Sequence, residues 1–334
     1  MHSVHAIRLY NIMIGSMKTQ AIYVAAELGI ADHIKNTPKT LHELAGAVDA
    51  KADRLFRLLR ALCSLGLLSE KNGAYHLTDM GHMLREDMPA SLKPFALLLG
   101  SPSWWSAWGN LLHSIKTGEC AFDYANALGF FEYLEHQPKQ QHQFYDFMTR
   151  ISQMNSQAVI QNFAFSPFKT IVDVGGGHGE LLFSILRAHP HINGILFDQA
   201  KALPGTETVD NALSERTQLI AGNFFESIPS GGDCYILQQI LHDWNDENSI
   251  IILRHCRNVM HDSSKLLVID AVVTPDNLPS FNKITDLHMM VLSHGGKERT
   301  AAEFKSLFQC AGLNLTEIIP TGTAFSIISG QKAD

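Results

Sequence analysis

Apolar and polar positions fall into two regimes along the chain. From residue 4 to 34, Ile, Met, Leu and Ala recur at helical spacing, with more apolar surface than one small domain hides, and this predicts helices that pair with a second copy of the chain. From Thr40 the pattern shortens. Thr40 with Glu43 forms a capping box for a short helix, Asp49 can open a second turn, and Leu55, Leu58, Leu59 and Leu62 stripe a third helix. "GLLSEKNGAYHLT" then reads as a hairpin turning at Asn72-Gly73. Helix, turn, helix and hairpin together predict a winged helix within residues 1–100. Residues 101–168 are mostly helical in pattern and rich in aromatic side chains, among them Trp104, Trp105, Trp108, Phe144 and Tyr145; core packing is the plain reading and an aromatic-binding pocket the sharper one. Beyond 170 the regime changes. Short apolar runs at 171–174, 194–197, 234–237 and 266–269 alternate with helical stretches, which predicts an α/β domain with a mostly parallel sheet over 101–334. The closing "TEIIPTGTAFSIISG" adds two strands around Gly322.

Composition narrows this picture by exclusion. The 334 residues suffice for two domains, and 46% hydrophobic with 18% charged residues is ordinary globular usage. A net charge of −7 argues against a general polyanion-binding surface. The winged helix raises DNA binding specifically, but residues 1–100 carry 11 Lys and Arg against 9 Asp and Glu, too sparse a basic stripe for tracking phosphates, so dimerisation is the better expectation. Residues 94–115 lack charged side chains, yet Pro102, Asn110, His113 and three tryptophans make them buried helix and loop rather than a membrane span. The N-terminal residues contain no uninterrupted apolar run of the signal-peptide kind. Five cysteines with no C-x-x-C pair point to a reduced, cytoplasmic setting.

The chemistry gathers where strands hand over to helices. "TIVDVGGGHGELLFSIL" places Gly175, Gly177 and Gly179 between the apolar run 171–174 and a helix carrying Leu181, Ile185 and Leu186. A dinucleotide turn of the form G-x-G-x-x-G needs glycine at 180, where Glu180 stands, so the NAD register fails. Asp173 and Glu180 flank the turn and suit a ligand that carries positive charge better than a pyrophosphate. S-adenosylmethionine has a sulfonium, an ammonium and a ribose diol, and Asp198, ending "GILFD" about 20 residues on, stands where an acid would hold that diol.

A second cluster follows the next strands. "LHDW" places His242 at the carboxyl edge of the sheet, a candidate general base with an unperturbed pKa of about 6.5. Asp270 ends "KLLVID" and Glu298 lies in "HGGKERT", and a carboxylate on one imidazole nitrogen fixes the tautomer that leaves the other free to take a proton. A phenol of pKa about 10 lies roughly 3.5 units above that histidine, near 5 kcal/mol, so proton removal is expected to accompany attack on the methyl group. The same side chains raise metal binding as a rival, but no two share a helix face and H-x-x-x-H spacing is absent around them, so no metal is expected.

Taken together, "VDVGGGHGE", "LHDWNDE" and "DLHMMVLSHGGKERTAAEF" resemble the O-methyltransferases that include plant caffeic acid and flavonoid enzymes, acetylserotonin methyltransferase and bacterial natural-product enzymes. The likeness covers nearly the whole chain. It implies a Rossmann-like class I methyltransferase domain behind an N-terminal helical winged-helix dimerisation domain, a homodimer, and transfer of methyl from S-adenosylmethionine to a hydroxyl, phenolic by expectation, on a small aromatic molecule. The rivals it leaves are an N-methyltransferase or a non-methylating relative on a natural-product scaffold. It also implies roles. Gly175 and Gly177 lie against the methionine part of the donor, Asp198 holds the ribose, Asn223 and Phe224 flank adenine, and Gln238 and Ser152 add contacts. His242 is the base, with Asp270 and Glu298 as supporting acids and Asp243 beside the acceptor, while Phe144, Met148, Met289, Met290, His288 and Ser293 line the acceptor pocket. Three residues depart from the pattern. Asn223 stands where many relatives have Asp, Gln238 replaces a Lys common in the plant enzymes, and Asp270 is one methylene shorter than the usual Glu, which lengthens or water-bridges its bond to His242.

Overall fold

A seven-stranded sheet organises the C-terminal part of the chain in a computed structural model that describes residues 2–89, 91–205 and 210–333. In chain order its strands are β1 (Thr170–Val174), β2 (Asn193–Asp198), β3 (Thr217–Ala221), β4 (Cys234–Gln238), β5 (Lys265–Asp270), β6 (Leu313–Pro320) and β7 (Ser326–Lys332). Their spatial order is β6-β7-β5-β4-β1-β2-β3, parallel from β5 to β3, with β7 antiparallel to both β5 and β6. The four apolar runs are β1, β2, β4 and β5, which, like β7, have neighbours on both sides and cores on both faces. Val172, Tyr235, Leu237, Leu266 and Val268 enter one core, and Ile171, Leu196, Ile236, Leu267 and Ile269 the other. The edge strand β3 is one the hydrophobic pattern does not announce. "TQLIA" is only half-buried, so its sequence lacks the apolar run that marks the inner strands.

Five helices matter for the site. They are α1 (Pro138–Asn162), α2 (Glu180–Ala188), α3 (Asp246–Val259), α4 (Phe281–Leu292) and α5 (Ala301–Cys310). Leu182, Ile185 and Leu186 of α2 pack on one sheet face, while Ile252 and Leu253 of α3 with Phe304 and Phe308 of α5 cover the other.

The chain divides into two compact units that interleave in sequence, one of residues 1–106 and 134–150, the other of residues 107–133 and 151–334. In the first, Thr40 caps the helix Leu41–Ala47 through a complete capping box with Glu43. The helix Ala52–Ser64 buries Leu55, Leu59 and Leu62, with Leu58 packed beside them. Asp49 stands in a left-handed turn with φ 48°, and Lys51 precedes the helix. Strands Leu68–Lys71 and Ala74–Leu77 pair around Asn72 and Gly73, both at positive φ as a tight hairpin requires, and Lys39–Thr40 adds a third strand: a winged helix. Ahead of it, the helices His2–Met13 and Gly15–Glu27 leave Val4, Ile7, Leu9, Tyr10, Ile12, Met13 and Met17 exposed. In the stretch read as buried helix and loop, three helices form (Lys93–Leu99, Pro102–Gly109, Leu111–Thr117) and Trp104 is buried, but Leu112 and Ile115 protrude into solvent. None of the described helices is long and apolar enough to cross a membrane.

Candidate active site

The glycine turn closes β1 and opens α2. Gly175 and Gly177 both hold positive φ, 73° and 55°, which strains any L side chain. A Cβ on Gly175 would meet Ile240 Cδ1 at 2.5 Å, whereas the space beside Gly177 is open. The Gly177 amide donates to Asp198 Oδ2 (2.8 Å) and the Gln199 amide to Oδ1 (2.6 Å), so the tip of β2 is tied to the turn. Beneath it Asp173 is fully buried with one carboxylate oxygen unpartnered, and burial together with the nearby Asp198 pushes its pKa up to about 7. Burial also raises Asp198, against the two amides that favour its charged form.

Along the same edge, Ser152 on α1 donates to Gln238 Oε1 at 3.0 Å, and the amide nitrogen of Gln238 is buried without a partner. Gln239 follows in the left-handed region at φ 52°, a backbone strain at the mouth of the site. Phe224 lies against the glycine turn and packs edge-on to Trp244. Asn223 turns its carboxamide oxygen to the Phe225 amide (3.0 Å) and its nitrogen to Glu226 (3.2 Å). These residues fit an adenosyl sulfonium ligand. The floor is acidic, the turn is open at Gly177, and buried polar atoms on Asp173 and Gln238 await partners.

His242 sits in a single 3-10 turn, Leu241–Asp243, just past β4, and is buried. Glu298 Oε1 lies 3.1 Å from its Nδ1, and Asp243 Oδ1 lies 3.7 Å from its Nε2. Burial alone would lower the imidazole pKa, but Asp243, Glu298 and Asp270 outweigh it and push it up to about 10. Burial likewise raises Asp270 to about 7 and Asp243 to about 6. One proton thus has several homes, and the cluster titrates as a unit. The two supporting acids are unequal. Glu298 grips the ring, whereas Asp270 is fully buried with both oxygens unpartnered and acts on His242 through charge alone. The shorter side chain leaves no direct hydrogen bond to the imidazole.

The turn that carries His242 is fastened from behind by a residue that pattern reading passes over. Arg299, 1% exposed, donates to the carbonyls of Leu241 (2.7 Å) and Trp244 (2.7 Å), to Ser249 Oγ (3.2 Å) and to Asp246 Oδ1 (3.0 Å from Nε). Its only sequence signal is its position between Glu298 and the Thr300–Glu303 capping box that starts α5. Gly296 completes the clamp, since a Cβ there would strike the His242 carbonyl at 2.7 Å, and the Lys297 amide donates to that carbonyl (2.9 Å). Asp286 on α4 accepts from the Glu298 amide (2.9 Å).

The expected acceptor-pocket residues divide between the units. Met289, Met290 and His288 lie on α4, with Ser293 at its end donating to the Met289 carbonyl, all in the second unit. Phe144 and Met148 lie on the stretch of α1 that belongs to the first, both half-buried.

A parallel sheet with an antiparallel seventh strand, an acid-floored glycine turn and a His–Glu pair on one edge defines a class I methyltransferase. The chain belongs to the O-methyltransferase family: the family's O-methyltransferase domain matches residues 108–314 and its dimerisation domain residues 10–87. It is 39% identical to a phenazine O-methyltransferase of Lysobacter antibioticus, over 97% of this chain and 95% of the relative. A solved mitomycin 7-O-methyltransferase superposes with a TM-score of 0.91 at 32% identity, covering 99% of both chains. An O-methyltransferase of neocarzinostatin biosynthesis, solved with S-adenosylmethionine and 2-hydroxy-5-methyl naphthoic acid, matches at 32% identity and a TM-score of 0.80 over 94% of this chain and 96% of that one. The protein is accordingly an enzyme, an O-methyltransferase whose methyl donor is S-adenosylmethionine, and its dimerisation domain makes it a homodimer.

Proposed function

We propose that the acceptor is a phenolic hydroxyl on a small aromatic metabolite and that His242 removes its proton as the methyl group arrives. The observation that carries this is the buried His242–Glu298 pair on the sheet edge that also bears the acid-floored glycine turn. In this reading Gly175, Gly177, Asp198, Asn223, Phe224, Gln238 and Ser152 hold S-adenosylmethionine, which supplies an electrophilic methyl group on a sulfonium. Asp198 lends the floor a negative potential that favours a cation over a neutral thioether, and Asp173, its pKa pushed up to about 7, adds to it only as pH rises. Residues 1–100 serve dimerisation and 101–334 the chemistry, a division supported by the two family domains falling on either side of it. Five unpaired cysteine thiols support the cytoplasm as the setting.

Glu298, accepting from Nδ1–H, leaves the Nε2 lone pair of His242 for the incoming hydroxyl. The surrounding carboxylates then strengthen the base. With the imidazole lifted to about 10, its proton affinity approaches that of a phenol, so the roughly 5 kcal/mol mismatch of an unperturbed histidine largely disappears. The same lift keeps most His242 protonated at neutral pH, so the reactive fraction grows as pH rises. Asp243, beside Nε2, flanks the position of the hydroxyl. Met289, Met290, His288 and Ser293 are assigned to the acceptor's surroundings.

The test is product analysis with methyl-labelled S-adenosylmethionine and a panel of hydroxyarenes. A product carrying one labelled methyl on oxygen is expected. Label found only on nitrogen, or no methylated product from any hydroxyarene, would contradict the reading.

A further inference from the structure

One backbone angle joins the glycine turn to the base. β4 ends at Gln238, paired with Ile269 of β5, and the amide of the next residue, Gln239, still donates to the Ile269 carbonyl at 3.0 Å. There the strand stops. Gln239 takes φ 52°, in the left-handed region that crowds a Cβ against the following carbonyl and suits glycine. Ile240 leaves that reversal at φ −109° and ψ −51° and leads directly into the 3-10 turn Leu241–Asp243 that carries His242. It also lies against the glycine turn, since a Cβ on Gly175 would stand 2.5 Å from Ile240 Cδ1, 3.2 Å from its Cγ1 and 3.5 Å from Phe224 Cε1. Such a conformation persists only where its surroundings over-determine it. The Ile269 carbonyl holds Gln239 from the strand side, while Arg299 on the Leu241 carbonyl (2.7 Å) and the Lys297 amide on the His242 carbonyl (2.9 Å) hold the turn beyond it.

Resting on the reading of His242 as the base, we propose that Gln239 is a positioning residue, whose left-handed backbone seats Ile240 on the glycine turn and fixes the place of His242 relative to that turn. Continued as a strand, the chain would run on at about 3.3 Å per residue and carry Ile240 off Gly175 and His242 out of its place past the sheet edge. Methyl transfer tolerates little of this, because a misplacement of about 1 Å costs on the order of 10²-fold in rate. One angle therefore serves two partners of the reaction, the seat of the donor and the base that faces the acceptor. The claim concerns the conformation rather than the carboxamide. Residues that accept positive φ, glycine and asparagine, should serve in its place, and β-branched residues, which resist it, should not.

The test compares Gln239→Val and Gln239→Thr with Gln239→Gly and Gln239→Asn in the full-length dimer. Calorimetric titration with S-adenosylhomocysteine reports the seat. Single-turnover transfer from saturating S-adenosylmethionine, to whichever hydroxyarene of the product analysis reacts fastest, reports the base. Rates are counted per site that binds S-adenosylhomocysteine, so unfolded protein does not register as lost activity. Gln239→Val and Gln239→Thr should bind S-adenosylhomocysteine about tenfold more weakly and transfer methyl about 10- to 10²-fold more slowly, while Gln239→Gly and Gln239→Asn stay within about threefold of wild type in both. Either quantity unchanged in the β-branched pair overturns the inference, and so does a fall in Gln239→Gly and Gln239→Asn as deep as theirs. Should Gln239→Val fail to fold, Gln239→Thr and the other two variants still decide. Failure of the base reads differently: His242→Gln transferring methyl at the wild-type rate removes that role and leaves the S-adenosylhomocysteine affinities of the Gln239 variants to be judged by themselves.

Discussion

Two acids near one histidine differ in sequence by the methylene that Asp270 lacks, and the structure separates them by a single contact. Glu298 reaches Nδ1 of His242, while Asp270 stays one methylene short, buried and unpartnered. Replacing Glu298 by Gln keeps the size of the side chain and removes a negative charge, so the imidazole pKa must fall. The acid limb of kcat/KM, which for the wild type should lie above the ordinary histidine value of about 6.5, is expected to move to lower pH in Glu298→Gln, with a lower plateau because the base is weaker. A limb that stays in place would mean that Glu298 is not what lifts His242. Asp173 offers a test with the opposite practical reading. Its folded pKa of about 7 lies above the unfolded value of 3.8, so the stability it contributes is full below pH 3.8 and is lost as pH rises to about 7. Asp173→Asn removes that loss. Its melting temperature relative to wild type, without ligand, should therefore be higher at pH 8 than at pH 5, by an amount corresponding to a few kcal/mol at most; a pH-independent difference would refute the buried, protonated Asp173. Both sites were legible as acids near a glycine turn and a histidine. The weaker hold of Asp270 was legible too, from its missing methylene, but the direct contact of Glu298 was not, because it lies on a loop whose path the sequence does not fix.

At the scale of elements, hydrophobic runs revealed the inner strands because those strands are apolar on both faces, and the same logic hid β3. "TQLIA" sits at the sheet edge with half its surface exposed, so nothing in its pattern separates it from a loop. Arg299 escaped notice for a related reason: a buried arginine and a surface arginine read alike until their partners are known. Those partners make its removal costly. Arg299→Met would take the short charged donor from the Leu241 and Trp244 carbonyls and from Asp246, leaving them only the longer bonds from Ser249 and Lys297, and chemical denaturation should register a loss of about 3 kcal/mol. A loss below 1 kcal/mol would show that the His242 turn holds itself. By contrast, the capping boxes at Thr40 and Thr300 were plain in sequence, since a cap is a local contact with fixed spacing.

For the whole molecule, the surplus of apolar residues near the N-terminus has become a helix that displays Val4, Ile7, Leu9, Tyr10, Ile12 and Met13 to solvent, together with a dimerisation domain over residues 10–87. The double variant Ile7→Glu with Ile12→Glu should shift the mass in light scattering from dimer toward monomer, and an unchanged dimer would place the interface elsewhere. The division of labour follows: one part of the chain associates, another does chemistry, and the chemistry depends on one imidazole. The measurement that tests this most directly is single-turnover methyl transfer to a hydroxyarene, with S-adenosylmethionine saturating, in wild type and His242→Gln. The expected result is a rate lower in the variant by about 10²- to 10⁴-fold with donor affinity retained; a rate within a few fold of wild type would contradict the account.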